Sequence, residues 1–108
     1  LGNVETIQSE EYDVPLAPGS VDGALLAFVL HEVDDRERFL RTITPLLRPG
    51  GWAGVVEWLP DAPSNHPTHN RIGPRELGEA ARAAGLRLQE WRELSSKHYL
   101  AVLRRPRG

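Results

Sequence analysis

The sequence predicts an α/β fold, and three observations support that prediction. Residues 21–30 form a nearly continuous apolar run, which is typical of a parallel strand buried on both faces. Apolar side chains at helical spacing follow, and residues 52–59 form a second apolar run directly after the Gly50-Gly51 pair. A strand, a helix and a strand in this order make a βαβ unit, whose ligands bind where the strands end. We therefore look for function first between Leu26 and His31.

Two weaker patterns precede this unit. Residues 4–8 alternate apolar and polar side chains and are predicted to form a short strand. Residues 12–20 contain Pro15, Pro18 and Gly19, so they are predicted to form a loop.

The first helix is predicted to begin at Asp34 or Asp35, either of which can cap it, and Glu37 resembles the second half of a capping box with Asp34. Pro45 is expected to disturb the helix because proline lacks the backbone N–H and its ring clashes with the preceding turn. The Gly50-Gly51 pair is predicted to end it. The side chains expected to face the sheet are Phe39, Leu40, Ile43, Leu46 and Leu47.

The C-terminal part is predicted to hold a long polar loop, a helix and two strands. The loop spans residues 60–73, and Gly73-Pro74 opens the helix because proline suits the first helical position. Gly85 ends this helix. Residues 86–93 and 98–104 are predicted strands whose short connection permits only an antiparallel hairpin. The predicted fold is a mostly parallel sheet with a C-terminal antiparallel hairpin and helices on its faces. The residues predicted to be buried by the second helix are Leu77, Ala80, Ala81 and Ala84.

Composition limits the function classes. With 108 residues the chain is long enough for one domain, and its net charge of −2 offers no electrostatic basis for binding nucleic acid or a membrane surface. The lack of cysteine excludes disulfides and thiolate metal sites. No apolar run approaches the ~20 residues that a membrane span needs, and no signal peptide is visible. We expect a cytoplasmic protein without nucleic-acid or membrane partners, and the composition fits a thermophile.

The first residue is Leu1, and the chain contains no methionine. A bulky residue after an initiator methionine normally blocks its removal. We therefore expect that Leu1 is not a natural start and that the chain is part of a longer protein.

Four short segments give a more specific indication. They are Asp13-Val14-Pro15-Leu16, Gly19-Ser20-Val21-Asp22, Val29-Leu30-His31-Glu32-Val33 and Leu46-Leu47-Arg48-Pro49-Gly50-Gly51. In this order and spacing they resemble the C-terminal half of class I S-adenosylmethionine-dependent methyltransferases, closest to those that act on small molecules. The resemblance implies a partial Rossmann-like methyltransferase sheet. It also implies that residues 1–108 are a single domain, the C-terminal portion of a methyltransferase catalytic domain.

The same resemblance implies a cofactor site for S-adenosylmethionine and a small-molecule methyl acceptor. In the family, an acid after the third strand accepts a hydrogen bond from the adenine amine, and the backbone N–H of the next residue reaches the ring. Glu10 and Glu11 match those positions. Residues at the end of the fourth strand line the methionine side of the cofactor, which implies a role for Leu26, Ala27 and Phe28.

Two elements of the family have no counterpart in this sequence, namely the glycine-rich loop after the first strand and the acid after the second. The Gly50-Gly51 pair is no substitute because it precedes a strand rather than a helix. We therefore expect this chain by itself to bind S-adenosylmethionine weakly or not at all and to be inactive.

Strand order makes a further prediction. In the family, the first and second strands lie between the third and the fourth. Without them, residues 24–30 would form an open apolar edge, which invites pairing with another strand. We predict that this edge is covered, either by residues 4–8 moving across or by a second copy in a homodimer.

The polar residues near the strand ends leave alternatives open. His31 and Glu32 either form a wall of the pocket or hydrogen-bond the backbone where the helix begins. His31 is a candidate catalytic base because the pKa of imidazole is near neutral, although methyl transfer requires only alignment of the nucleophile with the methyl group. His66 and His69 could suggest a metal, but Pro67 interrupts a helical spacing and a third ligand is lacking, so no metal site is predicted.

Two functional hypotheses follow. In the first, the chain is part of an enzyme that moves a methyl group to a small molecule, and Trp58 lies beside the acceptor pocket. In the second, the chain is a truncated module without catalytic activity that self-associates through its sheet edge.

Overall fold

A computed structural model describes residues 4–7, 17–30, 33, 35–60 and 71–107. Within these ranges the chain forms one sheet, two α-helices and a short 3₁₀ turn. In chain order the elements are β1 (Val4–Thr6), β2 (Val21–Ala27), α1 (Arg36–Ile43), the 3₁₀ turn (Thr44–Leu46), β3 (Leu47–Trp58), α2 (Pro74–Ala83), β4 (Arg87–Glu93) and β5 (His98–Arg104).

The sheet has five strands in the order β1-β2-β3-β5-β4. β1, β2 and β3 run parallel to one another, whereas β5 is antiparallel to both β3 and β4. The predicted α/β fold is confirmed, with a parallel part followed by an antiparallel hairpin.

β1 lies directly beside β2. Val4 is opposite Gly23, Thr6 is opposite Leu25, and the backbone N–H of Ile7 donates to the carbonyl of Leu25 at 3.1 Å. The N-terminal segment therefore covers the edge of β2, which confirms the first of the two predicted alternatives. A homodimer formed through the sheet edge stays a prediction.

β3 begins at Leu47, so the predicted start at Trp52 is wrong. Leu47 already pairs with Val21, and the chain then passes through an irregularity of the ladder rather than through a turn. Gly50 has a φ of 84°, which favours glycine, and a Cβ on Gly51 would lie 2.8 Å from a backbone carbonyl oxygen. The glycine pair thus permits a close approach within the strand.

Local side-chain chemistry sets the limits of α1. The Asp35 carboxylate caps the helix by accepting from the backbone N–H of Arg38 at 3.0 Å. The helix ends at Ile43, so the prediction that the glycine pair ends it is wrong. Pro45 lies in the 3₁₀ turn that follows, which agrees with its predicted effect.

α2 agrees more closely with the prediction. Gly73 is its N-cap and Pro74 its first residue, and Gly85 follows the helix with a φ of 85°. Leu77 and Ala81 are buried beneath the helix. The hairpin strands also lie where the sequence places them, within one residue at each end.

Both helices pack on the same face of the sheet. Arg36 Nη1 lies 3.6 Å from Glu76 Oε2, and the hydroxyl of Thr44 donates to the carbonyl of Ala84 at 2.8 Å. These contacts would be impossible across a sheet. We name this side the helix face. Its fully buried strand residues include Ala24, Leu26, Ala53, Val55, Tyr99, Ala101 and Leu103.

The opposite side is named the open face, because no helix of the described residues packs on it. Alternate residues of the central strands point to this side, since side chains alternate along a strand. They are only half-buried, and they are Leu25, Ala27, Trp52, Val56, Trp58, Leu100 and Val102. The two faces therefore have different surroundings, and the position of the candidate site depends on that difference.

Candidate functional site at the carboxyl edge of the sheet

Three aromatic side chains meet where the parallel strands end. Phe28 directly follows β2, and Trp58 is the last residue of β3. His98 is the first residue of β5 and lies opposite Trp58 in the ladder. We name these three residues the edge cluster. Ligands of open α/β sheets bind at this edge, so the cluster is the candidate site.

The rings of the edge cluster contact one another in pairs. The centroids of Trp58 and His98 are 4.5 Å apart, those of Phe28 and His98 are 5.2 Å apart, and those of Phe28 and Trp58 are 6.1 Å apart. These separations lie in the favourable range of ~4.5–7 Å for aromatic pairs. All three residues are half-buried, so part of their ring surface remains accessible.

Phe28 has an unusual backbone. Its φ is 57°, and among the described residues other than glycine it is the only one with a positive φ. Its N–H donates to the carbonyl of Val56 at 2.8 Å, which holds it against β3. A non-glycine residue in this conformation costs of order 1–3 kcal/mol, and such strain is concentrated at functional sites. The conformation also ends β2 at Ala27, so the predicted end at Leu30 is wrong.

Arg71 adds a positive charge to the site. Its Cζ lies 5.5 Å from the centroid of the Trp58 ring, and its Nη1 donates to the carbonyl of Leu59 at 3.1 Å. Only 8% of the residue is exposed. The guanidinium therefore holds the chain that leaves β3 against Trp58, with a cation–π contribution of about 1–2 kcal/mol.

A buried polar pair lies on the other side of the same strand ends. Glu57 and Tyr99 are opposite each other on the helix face and are 1% and 0% exposed. The Tyr99 hydroxyl donates to the carbonyl of Ile72 at 3.0 Å. Burial raises the pKa of Tyr99 above its ordinary value, and the Glu57 carboxylate raises it further. The hydroxyl therefore stays protonated and anchors the residues just before α2.

The structure places the predicted site residues as follows. Phe28 belongs to the edge cluster, and Ala27 is half-buried on the open face beside it. Leu26 is fully buried in the core on the helix face. Their predicted contacts with the cofactor stay predictions. The other predicted site residues lie outside the described residues, and they are Glu10, Glu11 and the candidate base His31.

Sequence reasoning missed two residues of this site. His98 could have been found by register, because a hairpin that returns beside β3 places its first residue near the last residue of β3. Arg71 lies within the predicted loop of residues 60–73, and nothing in the sequence indicates which strand it contacts. Trp58, which the sequence left as a candidate, does lie at the site.

Comparison with known proteins identifies the family of the chain. A family model described as a methyltransferase domain matches residues 1–55, which is half of the chain. The chain belongs to this family. Over 58 residues it is 36% identical to the ubiquinone/menaquinone biosynthesis C-methyltransferase UbiE of Klebsiella pneumoniae. That match covers 54% of this chain and 23% of the relative, so the chain spans only a fraction of the length of the curated methyltransferases it matches.

Solved structures show the same fold. An S-adenosylmethionine-dependent methyltransferase from Aquifex aeolicus has a TM-score of 0.80 at 22% identity, covering 92% of this chain and 53% of that one. A Burkholderia thailandensis 1,6-didemethyltoxoflavin-N1-methyltransferase, solved with S-adenosylhomocysteine, has a TM-score of 0.69 at 21% identity, covering 88% and 48%. The predicted cofactor of the family, S-adenosylmethionine, is thereby confirmed.

In the part of the chain that the structure describes, no group of three or more histidine, aspartate or glutamate side chains could hold a metal ion. His66 and His69 lie outside that part. None of the described helices is both long and apolar enough to span a bilayer.

Proposed function

We propose that the protein transfers a methyl group from S-adenosylmethionine to a small-molecule acceptor, and that the edge cluster lines the acceptor side of the site. One observation carries this proposal, namely three half-buried rings at the carboxyl edge of the sheet, one of which belongs to the strained Phe28. When bound, the cofactor would supply an electrophilic methyl group on a sulfonium. The acceptor would bond to the methyl carbon as the carbon–sulfur bond breaks, and neutral S-adenosylhomocysteine would leave.

The residues at this edge fit the methyl-bearing end of that cofactor. Aromatic faces attract cations, and the sulfonium is a cation. Strand β2 ends at Ala27, beside the edge cluster, so the backbone of Ala27 and Phe28 can contact the ligand. Leu26 would take part only through its backbone because its side chain is buried in the core. Glu10 and Glu11 would hold the adenine, as the family resemblance implies.

In this proposal the chain contributes mainly by positioning. Holding two reactants in line can supply a large part of a rate enhancement without a proton transfer. The rings of Trp58 and His98 would orient a planar acceptor against the methyl group. His31 stays the candidate base for acceptors that must lose a proton.

Titration of the 108-residue chain with S-adenosylhomocysteine, followed by calorimetry and by NMR, tests the proposal. We expect weak saturable binding, with a dissociation constant on the order of 1 mM, equivalent to about −4 kcal/mol. Chemical-shift changes should be concentrated at Ala27, Phe28 and Trp58. Saturable binding that leaves these residues unperturbed would contradict the placement of the site.

The homodimer is a separate proposal. The dimer was predicted because the edge of β2 would otherwise be open, and β1 already pairs with that edge. A dimer formed through this side of the sheet would therefore have to pair one β1 with another. Sedimentation velocity over a range of concentrations tests it, and a constant monomer mass would contradict it. The same pairing removes the main support for a self-associating module without catalytic activity, and we do not propose that function.

A further inference from the structure

The turn between β4 and β5 is organised by one hydroxyl. Ser95 Oγ accepts from the backbone N–H of Lys97 at 3.1 Å and from that of His98 at 3.2 Å. The backbone N–H of Leu94 donates to the carbonyl of His98 at 2.9 Å and completes the turn. The position of the hydroxyl is therefore set by two backbone N–H groups of the residues that follow it.

The same hydroxyl lies 3.4 Å from Nδ1 of His98. A serine hydroxyl has two acceptor lone pairs and one donor hydrogen. Both lone pairs are occupied by the two backbone N–H groups, so only the hydrogen is left for His98. It can be donated only if Nδ1 carries no proton. In the neutral imidazole the proton must then be on Nε2.

The second nitrogen of His98 points away from the turn, because the two nitrogens lie on different sides of the imidazole ring. Among the residues that the structure describes, none accepts a hydrogen bond from Nε2. The ring is half-buried and contacts Phe28 and Trp58 in the edge cluster. Nε2 is not among the fully buried, unpartnered side-chain atoms of the described residues, so a ligand that enters the edge cluster can reach it.

We propose that Ser95 is a positioning residue that holds neutral His98 in the form protonated on Nε2, and that this N–H binds a lone pair of the methyl acceptor. The acceptor class is then a planar ring that carries an oxygen or nitrogen able to accept a hydrogen bond. The ring packs on Trp58 and Phe28, and the heteroatom accepts from His98. The assignment of the acceptor class rests on the proposed function. The hydrogen bonds of Ser95 and the tautomer of His98 do not depend on it.

The arrangement is tested by measuring the tautomers of the imidazole. Long-range proton–nitrogen NMR on the 108-residue chain, about two pH units above the ordinary imidazole pKa of ~6.5, reports which nitrogen carries the proton. The His98→Gln variant assigns the signal among the four histidines. We expect the ratio of the Nε2–H to the Nδ1–H form to exceed that of a histidine in an unstructured peptide roughly fivefold, which corresponds to about 1 kcal/mol.

Variants in the turn make the test specific. Ser95→Ala should return the ratio to the peptide value, and Ser95→Thr should restore it because threonine keeps the hydroxyl. Ser96→Ala is the matched control, since Ser96 is in the same turn and is exposed, and it should leave the ratio unchanged. A wild-type ratio equal to that of the peptide, or an effect of Ser96→Ala equal to that of Ser95→Ala, would overturn the proposal.

Acceptor recognition is tested with two probes that share a ring, phenol and toluene. Phenol should shift the Nε2 resonance of His98 at least several-fold more than toluene does at equal concentration, and Ser95→Ala should reduce the difference. Equal shifts, or no shift with either probe, would overturn the role of Nε2. Neither measurement requires bound cofactor, so a failure here is distinguishable from a failure of the methyl-transfer proposal.

Discussion

The indole of Trp52 lies across Gly23 of the neighbouring strand. The two residues are opposite each other in the parallel ladder, and a Cβ on Gly23 would lie only 2.4 Å from the ring atoms Cε2 and Cζ2 of Trp52. The ring therefore covers the backbone of β2 on the open face. The lack of a side chain at Gly23 is what lets β2 and β3 pair beneath the tryptophan.

Replacing Gly23 by alanine should destabilise the fold by about 1–3 kcal/mol, because the new methyl group must displace a rigid ring. Urea denaturation monitored by circular dichroism measures the change. Gly78→Ala is the matched control. Its Cβ would meet the Leu88 side chain at an ordinary 3.6 Å, and alanine favours a helix over glycine by about 1 kcal/mol, so this variant should be more stable. Equal stability of Gly23→Ala and wild type would contradict the close approach.

Replacing Tyr99 by phenylalanine should cost about 1–2 kcal/mol near neutral pH, because the carbonyl of Ile72 loses its buried donor. The pKa of Tyr99 is raised in the folded state, mainly by burial, so above the unfolded value of ~10 the unfolded state loses its proton first. The contribution of the protonated Tyr99 hydroxyl to the free energy of unfolding is therefore fully present below pH ~10. It is lost as the pH rises further, by up to about 1.4 kcal/mol per pH unit.

The measurement is the stability gap between wild type and Tyr99→Phe at about pH 8 and about pH 11, on either side of the ordinary tyrosine pKa. The gap should narrow at the higher pH, since only the wild type has a hydroxyl to titrate at this position. A gap that stays constant would show that the surroundings of Tyr99 do not favour its protonated form.

Replacing Asp35 by alanine should destabilise the chain by about 1 kcal/mol, because the N–H of Arg38 loses its cap. Thermal unfolding followed by circular dichroism is the measurement. Glu37→Ala is the comparison, since the contact that the described residues give Glu37 is an exposed ion pair with Arg41 at 2.9 Å, worth about 0.3–0.5 kcal/mol. The cap prediction fails if the two variants lose the same stability.

Trp58 and Trp91 should have opposite roles. Trp58→Leu removes a half-buried ring of the edge cluster that would face the cationic sulfonium, so we expect weaker S-adenosylmethionine binding by roughly tenfold, or about 1.4 kcal/mol, with little loss of stability. Trp91 stacks on Tyr99 with centroids 5.0 Å apart and packs against the core. Trp91→Leu should therefore lower stability and leave the affinity of the folded chain unchanged. NMR titration and urea denaturation of both variants test this, and the reverse pattern would place the site elsewhere.

Much of the fold could be predicted because its signals are local. The proline at the start of α2, the glycine after it and the short connection between β4 and β5 each act within a few residues. The errors arose where distant residues pair. The sequence predicts that the two glycines Gly50 and Gly51 end the helix in a turn. In the structure Leu47 is opposite Val21 in the ladder, so both glycines lie within β3. Leu47 and Val21 are far apart in the chain, and the apolar periodicity of one segment does not indicate which strand it pairs with.

By itself, the sequence determined the α/β class, the order of the elements and the family, because apolar periodicity and short motifs are properties of neighbouring residues. Only the tertiary structure decided that β1 lies beside β2, that both helices share a face, and that His98 and Arg71 join Phe28 and Trp58. These contacts depend on strand register and on which face a side chain occupies. A shift of one residue reverses every side chain of a strand, so such contacts exist only once the sheet has formed.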